Sequence, residues 1–241
     1  MSILSKKALL PMLLGGAFSI SSAMGIQGRD IPNLWNELDS AQQTQILSQN
    51  LVRVVGANPN LWEAKFYFWV NGAGAKGSPR DCAAIFWDLP GQASYQPNLK
   101  SFEILAGSGT AAVKALATVD LSMVGGPADY QDPQENTVFR EGHGQGALFS
   151  SSWQTTDPSR PISPAFPQFS GEVSFQHFPG DQGGALMKYH VRIFPVAPLL
   201  GDLNQREQAF QMIEGLIRVH QGRMAQGASP QQISELERAL H

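Results

Sequence analysis

Residues 171–178 and 185–194 each alternate apolar and polar side chains, and the segment between them, Pro179-Gly180-Asp181-Gln182-Gly183-Gly184, consists of turn formers and polar residues. Successive side chains of a strand face opposite ways. Val173, Phe175 and His177 therefore share one face, and Glu172, Ser174 and Gln176 share the other. The second run splits into Ala185, Met187, Tyr189, Val191 and Ile193 against Leu186, Lys188, His190 and Arg192. If the turn folds the two runs into a hairpin, one register places both apolar faces together, with Phe175 opposite Met187 and Val173 opposite Tyr189. A slip by one residue would bury the polar set. The same register sets Glu172 opposite His190 as a solvated cross-strand pair, and sends His177 to the inner face near the turn as a core-edge histidine.

Further strands are expected at 62–70, 83–87, 101–105, 116–123, 137–139 and 147–153, each bounded by turn residues. The segment 83–87 follows Cys82 as a short apolar run and reads as a buried strand. Helices bracket this strand-rich middle. Ser40, with Gln43 three residues on, predicts a capped N-terminal helix over about 40–55 that carries Ile46, Leu47, Leu51 and Val55 and stops at Gly56, with a shorter turn at 32–38 before it. Asn204 with Glu207 opens a second helix over about 204–222, and Ser229-Pro230 with Gln232 opens a third over about 230–240. His220 falls at the edge of the core-facing stripe of the second, near a helix C-terminus whose dipole favours its charged form. Strands in the middle with helices at both ends predict an α+β, mainly β fold, an antiparallel, sandwich-like sheet core with flanking helices. Residues 26–241 are expected to form a single domain, with the proline-rich 155–168 as a surface crossover.

Residues 1–25 carry Lys6 and Lys7, a short apolar run from Ala8 to Phe18, and a Ser21-x-Ala23 cleavage pattern, which together predict a secretory signal peptide. The apolar run is too short to span a bilayer of about 30 Å, and no cysteine follows it to carry a lipid anchor. The expected location is periplasmic or secreted. Of the 17 basic residues, cleavage removes two, leaving 15 against 20 acidic ones and a net charge of −5. No basic run invites nucleic acid. Cys82 is the only cysteine, so no intramolecular disulfide forms even in an oxidising compartment, and Cys82 is expected as a small buried hydrophobe.

No motif names a reaction, and no cofactor is indicated. The chemistry candidates gather on Glu141-Gly142-His143-Gly144-Gln145-Gly146, read as a glycine-punctuated loop between strands whose missing Cβ atoms would let backbone approach a ligand. A metal site built there would use His143 and Glu141 with a third ligand such as His177 or Asp157. The plain alternative is that the glycines serve only the turn. A Ser151, His143, Asp157 triad is open on sequence, because triads are defined by geometry. Trp69, Trp153 and Tyr67, with Glu141, His143 and Gln145, are candidate ligand-binding residues. Aromatic platforms with amide side chains suit a sugar-like or other small polar ligand, though the aromatics could equally fill the core or face a protein partner. An exported binding or accessory protein is the expectation, and a metal-dependent enzyme or metal carrier is the rival.

Overall fold

The computed structural model describes residues 31–58, 60–72, 76–97, 99–120, 131–143, 148–155, 168–180, 182–194 and 201–241. The expected signal peptide, Gln145, Asp157 and the crossover at 156–167 lie outside them. The element order is a 3-10 turn Leu34–Glu37, α1 Ser40–Leu47, β1 Val52–Val55, β2 Trp62–Val70, α2 Pro79–Trp87, α3 Leu89–Gln92, β3 Leu99–Ala106 and β4 Ala112–Asp120. There follow β5 Gln131–His143, β6 Leu148–Thr155, β7 Gln168–His177, β8 Ala185–Phe194, α4 Leu203–Met224 and α5 Pro230–Leu240. The eight strands make one antiparallel sheet in the order β1-β2-β8-β7-β6-β5-β4-β3. The mainly-β, α+β architecture is as the alternating runs require.

The hairpin register is also as expected, with Phe175 paired to Met187, Val173 to Tyr189 and Glu172 to His190. Its apolar face joins Phe66, Phe68 and Val191 beneath α2, α4 and α5 to form the main core. Gly184 sits at φ +80°, where a Cβ would stand 2.2 Å from Val70 O, so only glycine closes this turn. A second, smaller core covers one end of the outer face. There Leu34, Leu38 and Ile46 pack on Tyr67, Trp69 and Leu186, and Trp69 stacks on Phe178 at 4.3 Å. Strand β2 is therefore buried on both faces at its far end, which explains why its polar alternation lapses after Lys65.

Four expectations need correction. Residues 83–87 are helical, not extended: Ser78 caps Asp81 N, Pro79 starts the helix, and α2 is buried along almost its whole length. A short apolar run carries no period by which to tell a buried strand from a buried helix. Cys82 is buried, as expected, but on this helix. The N-terminal helix ends at Leu47, with Gln49 at φ +62°, and Val52, Val54 and Val55 form an edge strand instead. Their β-branching stiffens the side chains and suits a strand. The caps of α1 and α4 are Asp39 and Asp202 rather than Ser40 and Asn204, while Ser229 and Gln232 form the expected capping box of α5.

Candidate functional site

Between the inner face of β3–β6 and helices α2–α4 lies a cavity of about 150 Å³. Its floor is Val138, Trp153 and Tyr189, its sides are Phe86, Leu99 and Phe102, and its roof is Leu216 and His220 of α4. A register shift in β3 between Leu99 and Ser101 lets both Leu99 and Phe102 turn inward, although they stand three positions apart. Trp153 lies across Gly171, where a Cβ would stand 2.3 Å from the indole Cζ2. The missing side chain of Gly171 is therefore what lets the ring lie in the cavity floor, 5.3 Å from Tyr189.

The polar groups form a chain. Asp88 caps α3 through Gly91 N, and Gln92 then reaches back so that its Nε2 donates to Phe86 O at 2.6 Å, satisfying a carbonyl in the last turn of α2. Gln96 Nε2 donates to Gln92 Oε1 at 2.6 Å and lies 3.0 Å from His220 Nε2. With both amide protons so used, His220 Nε2 accepts, and the ring proton sits on Nδ1, 3.3 Å from the Tyr95 hydroxyl. Tyr95 and Phe86 pack against the imidazole ring. Burial with no charged partner pushes His220 down to about 4 and raises Tyr189 well above its ordinary value, and burial likewise raises Tyr95. His220 and Tyr189, the titratable groups of the cavity lining, are thus neutral at pH 7. Among the described residues this lining has no carboxylate, thiol, lysine or arginine, and a histidine near 4 is a weak base at neutral pH. The arrangement is suited to hold an uncharged molecule.

Glu141 and His143 are strand residues rather than loop residues and share the outer face of β5, His143 Nε2 lying 3.3 Å from Glu141 Oε2 and 3.5 Å from Ser150 Oγ. His177 cannot join them: His143 aligns through Leu148 with Gln176, so His177, one residue on, projects from the opposite face and is exposed. Among the described residues no three His, Cys, Asp or Glu side chains gather to hold a metal. Ser151 faces inward, away from His143, so the proposed Ser-His pair does not form. The missing Cβ of Gly142 accommodates Leu240 of α5, whose Cδ2 would lie 2.8 Å from it, which is a packing role.

Of the expected binding residues that are described, only Trp153 lines the cavity. Tyr67 and Trp69 are in the smaller core on the other side of the sheet, Tyr67 Oη donating to Glu37 at 2.7 Å and Trp69 Nε1 to Gly183 O. His190 bonds Glu63 at 2.7 Å instead of its cross-strand neighbour Glu172, because Glu63 on β2 is already positioned by Arg192. Burial lowers the His190 pKa despite that carboxylate. His220, expected charged at the core edge, is neutral and buried. Gln92, Gln96, Asn136 and Tyr189 were not singled out by the sequence.

No protein-family model matches the chain, and neither does any curated protein. Solved structures similar to it include human STARD10, 9% identical over 81% of each chain with a TM-score of 0.48. A START superfamily protein from Mycobacterium smegmatis is 14% identical over 73% of this chain and 97% of that one, with a TM-score of 0.46. The major latex-like protein 151 of Panax ginseng is 8% identical over 68% and 98%, with a TM-score of 0.47. At such values the likeness is one of architecture only.

Proposed function

We propose that this protein binds a small, flat, uncharged molecule in the cavity beneath α4. The observation that carries this reading is the buried amide–imidazole chain Gln92–Gln96–His220, fully neutral, set against the aromatic surfaces of Phe86, Trp153 and Tyr189. Apolar walls with a few fixed polar groups are the usual construction of a small-molecule site. A volume of about 150 Å³ suits one or two rings. Gln96, with both amide protons spent, keeps its Oε1 to accept from a hydroxyl on such a ring. A sugar, with a hydroxyl on nearly every carbon, would leave most of its groups without partners against this lining.

The experiment is a titration of the protein with phenol, indole and 2-naphthol, read by intrinsic fluorescence and thermal midpoint. Saturable binding that is lost in Trp153→Leu and Gln96→Leu, and kept in His143→Ala and Tyr67→Phe, is the expected result. Binding that survives both cavity substitutions would overturn the reading. We also propose export to the periplasm or the medium, supported by the basic, apolar and small-residue segments of residues 1–25. The mass of the secreted chain should begin at Met24 or Ile26.

A further inference from the structure

We propose that a second cavity, walled by α5, binds the carboxylate of a small monoanionic ligand on Arg140. This cavity has a volume of about 290 Å³ and is separate from the one beneath α4. Arg140 is the next inward-facing residue of β5 after Val138 and is only 5% exposed. Its one hydrogen bond among the described residues runs from Nη2 to Trp87 O at 2.7 Å, and its guanidinium lies 5.9 Å from the Trp87 ring. Nε has no acceptor, and neither do two polar groups close by in the fold, the Trp87 indole N–H and the hydroxyl of Ser151, the residue paired with Arg140.

A buried guanidinium is costly unless its N–H groups are used. The two nearby acids act on it only through space. Asp88 is occupied by Gly91 N at 3.0 Å and Gln232 Nε2 at 2.8 Å, and Glu235 by Gln231 Nε2 at 3.2 Å. Burial lowers Arg140 to about 10, which leaves it charged at neutral pH. An unpaired buried arginine facing a cavity matches a carboxylate in geometry and charge. Asp88 and Glu235, in the same wall, would repel a dianion more strongly than a monoanion. Arg140 and Arg238 together balance those two acids, so the wall carries no net charge, and a monoanion adds one negative charge to it where a dianion adds two.

The test uses the full chain titrated with sodium butanoate, sodium benzoate and sodium phosphate at constant ionic strength, read by tryptophan fluorescence and thermal midpoint. The expected result is a saturable response to the two carboxylates that disappears in Arg140→Gln, persists in Trp153→Leu, and loses its fluorescence component in Trp87→Phe. Glu235→Gln, at a position on α5 where folding is not at stake, should tighten butanoate roughly threefold or more by removing a like charge. A wild-type chain with no saturable response, a response retained in Arg140→Gln, or phosphate binding as tightly as butanoate would each overturn the proposal. If Arg140→Gln does not fold, an unchanged affinity in Glu235→Gln does so alone.

Discussion

The half-sheet β1-β2-β8-β7 is covered by α2 and α4 beneath and, at one end of its outer face, by the N-terminal turn and α1, whereas among the described residues β6-β5-β4-β3, Leu148 of β6 excepted, is covered on its inner face alone and holds both cavities there. On the uncovered face of the second half Leu105 and Phe139 stand 49% and 40% exposed. Strand pairing is continuous across the two halves, so the difference lies in the layers rather than in the sheet. Close packing stabilises one half, and incomplete packing in the other leaves room for ligands.

The largest effect that tests this contrast is a matched pair of truncations. Phe175 is fully buried in the packed half, 5.9 Å from the Phe86 ring, and Phe175→Ala should cost about 3–5 kcal/mol by urea unfolding. Phe102 borders an existing cavity and is already half-buried, so Phe102→Ala should cost roughly 1 kcal/mol. Equal losses would show that the two halves are packed alike.

A second test uses acid. His220 moves from an unfolded value of 6.5 to about 4 in the fold because burial disfavours its charged form. Below pH 6.5 the unfolded chain takes up this proton and the folded chain does not, so stability falls as pH drops from 6.5 toward 4 and then levels. The loss is on the order of 3 kcal/mol. His190 is also lowered by burial and contributes in the same direction. The difference between the stability–pH curves of the wild type and His220→Gln should isolate the loss due to His220. A difference flat across that range would mean that His220 is charged in the fold and that the cavity is not neutral.

The packed half was largely legible from the sequence because its strands alternate cleanly: the β7–β8 register follows from the positions of Val173, Phe175, Met187 and Tyr189 alone. In the cavity half the strands at 101–105, 116–123, 137–139 and 147–153 were expected and overlap β3–β6, but their inward-facing sets and the helix over them were not legible. The β3 irregularity that turns both Leu99 and Phe102 inward breaks the period-two pattern, and α2 hides as an apolar run whose helix signal is Ser78-Pro79 with Asp81. The site was less legible still. Gln92 and Gln96, Trp153 and His220 come from three separate places in the chain, and nothing local marks a glutamine that will be buried. Glu141 and His143 stand out in the sequence by being close together and do share a face, but a third ligand had to come from another strand. His177 is on the wrong parity to supply it.

Gly171→Ala carries the contrast to the boundary between the halves. The added methyl would meet Trp153 Cζ2 at 2.3 Å and His190 O at 2.8 Å, so the indole must move off the strand and into the cavity. Overpacking of this kind costs about 1–3 kcal/mol. Near-UV circular dichroism should change, and indole binding beneath α4 should be lost while butanoate binding at Arg140 remains. Loss of both would mean that the two cavities are one site.

The smallest effect belongs to the outer face of the packed half. Burial would raise the Glu37 pKa, but the hydrogen bonds from Tyr67 Oη at 2.7 Å and Lys188 Nζ at 3.0 Å hold it below its ordinary value. A carboxyl lowered in this way adds stability that is present above its unfolded pKa of 4.5 and is lost as pH falls through the folded value. Tyr67→Phe removes one of the two bonds without opening a cavity, so it should cost about 1 kcal/mol at pH 7. The wild type and the variant should converge in stability as pH falls through the folded value of Glu37, which lies below 4.5. Because the turn that carries Glu37 also supplies Leu34 and Leu38 to the outer core, amide exchange in residues 34–38 should quicken in the variant. Exchange that instead quickens around His220 would show that the two faces of the sheet are coupled, against the separation drawn here between a packed half and a binding half.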